Sequence, residues 1–222
     1  MECVVHIGDK VSDLFDPHTQ PNQRVAYPEL SSPLHRNRGM RHYRRMIDQA
    51  FNSAQGLGQG KQLSLLAEAF GRLDVAFANA GFGAARGFLE ETPEHWRSLV
   101  LTNVYGAALT IRATRDALIE AKGHLLITGS VAGRRALPGS LYSATKHAVT
   151  AMAESARQEL NDTGVRVTSI EPGMVDTPFF DSPPEIEALH AEDVARAVIF
   201  AVSQPSRVDI NEILIRPTDQ PG

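Results

Sequence analysis

DVAFANAG, residues 74–81, is a short apolar run that ends in three small or polar residues, Asn79, Ala80 and Gly81. Three further runs repeat the pattern: HLLIT at 124–128 is followed by Gly129 and Ser130, VRVTSI at 165–170 leads to Pro172 and Gly173, and NEILI occupies 211–215. Runs that are apolar on both faces, separated by long amphipathic stretches, read as strands of a parallel sheet covered by helices on each side. That is a doubly wound α/β architecture. Helix punctuation agrees. Thr92-Pro93 caps and opens one helix, and Gly164 ends another just before a strand. In such a sheet, ligands gather beyond the carboxyl ends of the strands, so the residues after each run carry the chemical interest. Any one glycine or proline there makes an ordinary turn; the placement of all of them on one rim is what points to a site.

The chain has 222 residues, enough for one α/β domain with a full core. A net charge of −4 gives the molecule as a whole no pull toward nucleic acid or an acidic membrane surface. Cys3 is the only cysteine, which excludes an internal disulfide and fits a reducing compartment. MECVVHIGDK lacks the apolar core of a signal peptide and no run has bilayer-spanning length, so a cytoplasmic location is expected. No spaced His/Asp/Glu set suggests a metal.

GSLYSATKHAV, residues 139–149, places Tyr142 four positions before Lys146. On a helix the two share a face, and a neighbouring ammonium favours the phenolate. A phenol tuned down by roughly 3 units, about 4 kcal/mol, can exchange a proton with a substrate oxygen near neutral pH. The same spacing occurs by chance on ordinary helices. Ser130, twelve residues earlier and just after a strand, brings a second hydroxyl within loop reach.

NAG (79–81), TNVYGA (102–107), ITGSVAG (127–133), YSATK (142–146) and EPGMVDTPF (171–179) together resemble the short-chain dehydrogenase/reductase family, in order and spacing, over roughly residues 62–220. The resemblance implies a Rossmann-like doubly wound parallel sheet and an NAD(P)-dependent oxidoreductase that interconverts a small alcohol and its carbonyl compound. It makes Tyr142 the acid/base and Lys146 the group that holds the nicotinamide ribose and lowers the tyrosine pKa. Ser130 would bind the reacting oxygen, and Asn103, inside one long helix from about 93 to 120, would hold a relay water. Asn79, Ala80 and Gly81 would line the adenosine side, and Pro172, Gly173 and Thr177 the nicotinamide. The tail from Glu192 is similar to that of NADP-preferring members, so NADP is the expected cofactor, with NAD the alternative. A homodimer or homotetramer is implied by the same likeness. Residues between Thr177 and Glu192 would form a lid with Phe179 and Phe180 as an apolar wall, and His147 reads as a helix-surface neighbour.

Residues 1–60 depart from the family and read as an atypical, partly irregular segment attached to a catalytic region at 61–222, the whole forming one domain. The family's TGxxxGxG turn is missing: VVHIGDKVSD offers only Gly8, and Gly56, Gly58 and Gly60 follow a helix-like stretch. Either the segment is a replaced or corrupted stretch fused to an intact catalytic half, or it folds into an unorthodox substitute for the first βαβ unit; the alternative function is a non-catalytic scaffold, or a truncated or corrupted family member, without cofactor binding. HRNRGMRHYRR at 35–45, with five arginines, reads first as a solvated segment and second as a nucleic-acid, partner or cofactor-phosphate contact. Ala78 stands where the family places a second asparagine before NAG.

Overall fold

A computed structural model describes residues 3–6, 72–177, 179 and 185–220. The isolated Gly8, the glycines at 56, 58 and 60, the arginine-rich stretch and Phe180 lie outside the described residues. In chain order the elements are β1 (Cys3–His6), β2 (Val75–Ala78), α1 (Pro93–Val100), a π turn (Leu101–Tyr105), α2 (Gly106–Ala121), β3 (His124–Thr128), a 3-10 turn (Val131–Gly133), α3 (Leu141–Glu159), β4 (Arg166–Pro172), α4 (Ala191–Val202) and β5 (Glu212–Ile215).

The strands lie in the order β1-β2-β3-β4-β5, and β2 to β5 run parallel. Alternate side chains on β3 show why both faces need helices. Leu125 and Ile127 join Ala153, Ala156 and Leu118 beneath α2 and α3, whereas Leu126 packs with Ile170 and Ala201 of α4 on the other face. Two dry faces are what near-continuous apolar strands require. This is the expected Rossmann-like fold.

β1 differs from its neighbours. It pairs with β2 antiparallel, Cys3 opposite Ala78 and His6 opposite Val75. In the classic doubly wound order the first strand lies beside the fourth and parallel to it, so that its carboxyl end opens on the ligand rim. Here that place beside β2 is filled by a reversed strand, and the chain leaves it at the opposite rim. Direct delivery of a phosphate-binding turn from β1 to the rim of Asn79 is therefore excluded by direction.

Local signals are realised in detail. The Thr92 hydroxyl accepts from His95 N at 3.1 Å, capping α1 with Pro93 in its first turn. Gly164 holds φ +84 between α3 and β4, a left-handed conformation that a side chain would strain. The single helix expected from 93 to 120 is interrupted, because five residues around Asn103 adopt a π turn between α1 and α2. β4 also continues past residue 170 to Pro172.

Candidate active site

Every site residue expected from the sequence lies at the carboxyl end of β2, β3 or β4 or on the helices behind that rim. Asn79 follows β2, and its Oδ1 accepts from the Thr128 hydroxyl at 2.7 Å, tying the ends of β2 and β3 together. Ser130 follows β3 and caps the 3-10 turn by accepting from Ala132 N at 3.1 Å. Pro172 ends β4 and Gly173 follows it, its N donating to Ile215 O at 2.7 Å. Thr177 lies further along, its hydroxyl accepting from Phe179 N at 3.4 Å.

Asn103 is buried inside the π turn, a helix irregularity that recurs at functional sites. Its Oδ1 accepts from Phe82 N at 3.1 Å, and its Nδ2 donates to Phe82 O at 3.0 Å and Thr145 Oγ1 at 3.2 Å. Thr145 in turn donates to Tyr142 O at 2.7 Å. One amide thus fixes the loop after β2 to the first turn of α3. With both N–H groups committed, a water could use only the second lone pair of Oδ1 or the backbone.

Lys146 is 4 % exposed, and its Nζ donates to Thr128 O at 2.8 Å. It lies 5.8 Å from the centroid of the Tyr142 ring. Gly81 stands directly over this group: a Cβ there would meet Asn103 Oδ1 at 3.3 Å and Lys146 Nζ at 3.6 Å. The Phe179 ring packs at a tilt against Tyr142, ring centroids 5.7 Å apart. Val175 and Leu189 form an isolated parallel bridge just before α4.

The electrostatics depart from the sequence expectation. Burial pushes the Tyr142 phenol above its usual range, and the Ser130 hydroxyl bonded to it works in the opposite direction. Burial also pushes Lys146 down to about 8. The lysine therefore does not draw the phenol down here, because both groups share one dry site whose desolvation disfavours each charge. His147 is exposed and bonds to Ser143 O at 2.9 Å within its own helix, in keeping with a helix-surface neighbour.

Sequence reasoning missed Glu171, Arg134 and the Phe82 backbone. Glu171 follows the VRVTSI run and precedes Pro172, where a carboxylate reads as a strand boundary rather than as a buried group that has to find partners.

The family model for short chain dehydrogenases matches residues 58–187. An uncharacterised oxidoreductase of Staphylococcus aureus is 36% identical over 159 residues, 70% of this chain and 69% of the relative. Among solved structures, an alcohol dehydrogenase from the archaeon Thermococcus sibiricus, complexed with 5-hydroxy-NADP, superposes with a TM-score of 0.68 at 29% identity, over 73% of this chain and 71% of that one. A serine dehydrogenase from Escherichia coli superposes with a TM-score of 0.65 at 28% identity, over 74% of each chain. These likenesses show the family: the chain belongs to the short-chain dehydrogenase family, and its Staphylococcus aureus relative is an oxidoreductase.

Proposed function

We propose that the chain is an NADP-dependent oxidoreductase, with NAD as the alternative carrier, that interconverts a small alcohol and its carbonyl compound. The observation that carries this reading is the meeting of the Ser130 hydroxyl, the Tyr142 phenol and the buried Lys146 ammonium on one rim, under a residue that lacks a side chain.

The described residues fit the nicotinamide-ribose half of a dinucleotide. Gly81 leaves open the space that a Cβ would fill, and Lys146 uses one of its three N–H groups on Thr128 O, leaving donors suited to ribose hydroxyls. Pro172, Gly173 and Thr177 would border the nicotinamide, and Asn79 and Ala80 would lead toward the adenosine. When bound, the nicotinamide supplies or accepts the hydride. The chain does the rest. Ser130 holds the substrate oxygen, Tyr142 takes or returns its proton, and Lys146 with Asn103 connects that proton to solvent. Positive charge brought to the site on cofactor binding would offset the desolvation that raises the phenol.

Titration of the purified chain with NADPH, read by cofactor fluorescence, should saturate, and Tyr142→Phe should keep that binding while losing turnover on a panel of secondary alcohols. L-serine belongs on the panel, since the similar Escherichia coli protein is a serine dehydrogenase. Unchanged fluorescence at near-millimolar NADPH would overturn the reading.

One observation favours a second reading, a non-catalytic scaffold: the reversed β1 cannot deliver a phosphate turn to this rim. Such a protein would fold and show no cofactor affinity. On the leading reading the protein works in the cytoplasm and pairs as a homodimer or homotetramer. Val100, Leu101 and Tyr105, all at least 40 % exposed on the helix that carries Asn103, are the face offered to a second copy. No helix among the described residues is long and apolar enough to cross a membrane.

A further inference from the structure

The side chain of Glu171 is fully buried, and three donors converge on its carboxylate. Ser169 Oγ donates to Oε1 at 3.0 Å, Arg134 Nε donates to Oε2, and Thr150 Oγ1 lies 3.3 Å from Oε1, its one hydrogen shared with Lys146 O at 3.1 Å. The second arm of the arginine reaches Glu212 Oε2 at 2.6 Å on β5. These partners come from separate parts of the site. Thr150 lies two turns beyond Tyr142 on α3, Arg134 closes the 3-10 turn that Ser130 opens, and Ser169 shares β4 with Glu171.

The carboxylate stem also presses on the residue before Ser130. A Cβ at Gly129 would fall 2.8 Å from Glu171 Cγ and 3.0 Å from Ser169 Oγ, so only glycine lets the chain pass this close. Ser130 Oγ in turn faces Pro172 O, next to Glu171, at 3.5 Å. A charge buried at this depth is expensive, and an apolar side chain would pack β4 as well. What a charge adds is direction: a two-pronged guanidinium fixes the turn to two strands at once.

We infer that Glu171 is a positioning residue, whose buried carboxylate, gripped by Arg134, holds the Ser130 turn in register with the Tyr142 phenol. The inference rests on the reading of Ser130 and Tyr142 as the proton-handling pair. No hydrogen bond among the described residues joins Glu171 to the side chain of Tyr142 or Lys146, and the link through the Thr150 hydroxyl ends on Lys146 O, backbone that α3 already holds, so its influence on the phenol runs through Ser130.

The test compares Glu171→Gln, Ser130→Ala and the double variant by two readouts. The first is the Tyr142 ring-carbon resonance in isotope-labelled tyrosine, assigned with Tyr142→Phe, which senses the hydrogen bond from Ser130 without any substrate. The second is turnover with NADP and secondary alcohols. Glu171→Gln should move the Tyr142 resonance in the direction that Ser130→Ala moves it, and lower kcat about 10- to 100-fold while NADPH affinity stays within about threefold. Added to Ser130→Ala, it should change kcat by less than about twofold, as expected for residues acting through one contact. Folded Glu171→Gln protein with the parent's resonance and kcat would overturn the inference, as would equal losses with and without Ser130. Should Glu171→Gln fail to fold, Arg134→Lys keeps the charge but loses the fork, and should give a smaller shift of the same sign; an unmoved resonance there overturns it too. A resonance shift in protein that turns over no alcohol retires the oxidoreductase reading and leaves the clamp standing.

Discussion

A buried basic side chain meets β3 at each end, His124 of the strand itself at the entry and Lys146 of α3 at the exit, and the two ends make opposite use of it. At the entry, His124 is 1 % exposed and bonds through Nε2 to Thr168 Oγ1 at 2.7 Å. Because Thr168 donates its own hydrogen to Ile210 O at 2.6 Å, the imidazole must be the donor of that bond, which leaves Nδ1 bare and unpartnered. At the exit, Thr128 O accepts from the Lys146 ammonium. Burial pushes both bases down, His124 to about 3 with help from nearby Arg166, and Lys146 to about 8. The histidine is thereby neutral throughout the physiological range, a packing element. The lysine still carries its proton at neutral pH, in a place where that charge destabilises the fold. A protein keeps a costly charge where function asks for it.

The largest expected effect sharpens this contrast on the functional side. Lys146→Met should lower turnover by up to about 10⁴-fold, the range lost when acid/base machinery is disabled, whereas His124→Gln should leave kcat within about twofold. Steady-state kinetics with NADP and the best alcohol of the panel decide it. Comparable losses from both variants would erase the distinction between the two ends of the strand.

Next comes the acid limb of stability. The folded-state pKa of His124, about 3, lies below the ordinary 6.5. Between those values the unfolded chain binds a proton that the folded chain refuses, so stability falls as pH drops through that window, by roughly 4–5 kcal/mol in total from this one group. Urea melts of parent and His124→Gln at steps from pH 7 to pH 4 should converge on the acid side, with the variant's slope flatter. Parallel pH curves would show that His124 does not govern acid unfolding.

The lysine gives a smaller effect of opposite character. Its folded value of about 8 lies below 10.5, so the penalty is fully present below pH 8 and fades as pH rises toward 10.5, on the order of 3 kcal/mol in all. Lys146→Met should therefore raise the cofactor-free Tm at neutral pH, less the loss of the Thr128 hydrogen bond, and the gain should shrink above pH 8. A variant that melts below the parent at pH 7 would mean that this hydrogen bond outweighs the desolvation.

These two ends were not equally legible in the sequence. The parallel strands could be read because the runs HLLIT and VRVTSI put apolar side chains on both dry faces, Leu125, Ile127, Val165 and Val167 on one and Leu126 and Ile170 on the other; the motifs then set Asn103, Ser130, Tyr142 and Lys146 on one rim. His124 and Glu171 were hidden for one reason: a polar residue at the edge of an apolar run looks like a boundary until its partners, Thr168 in one case and Arg134 with Thr150 in the other, are brought from far along the chain. The π turn was illegible because helix periodicity barely changes over five residues. The direction of β1 was illegible too, since CVVH reads the same in a parallel or an antiparallel pair. The direction of the tyrosine shift was illegible as well, because the extent of burial, which raises a phenol, emerges only once the chain has folded over it.

The smallest predicted effect tests how tightly the exit end is built. At Gly81 an added Cβ would approach Asn103 Oδ1 to 3.3 Å and Lys146 Nζ to 3.6 Å, close enough to require a shift of a few tenths of an ångström but not a clash with backbone. Gly81→Ala should therefore change stability by less than about 1 kcal/mol. Its effect on function should be larger than its effect on stability, since the methyl would enter the space assigned to the ribose and disturb the amide that holds Phe82. A rise of about tenfold in the NADPH dissociation constant, with kcat at saturation within about threefold, is the expected split. A loss of kcat with affinity preserved would instead mean that the added methyl misplaces Lys146 rather than crowding the cofactor, and that the two buried bases differ in how precisely they must be held as well as in whether they carry charge.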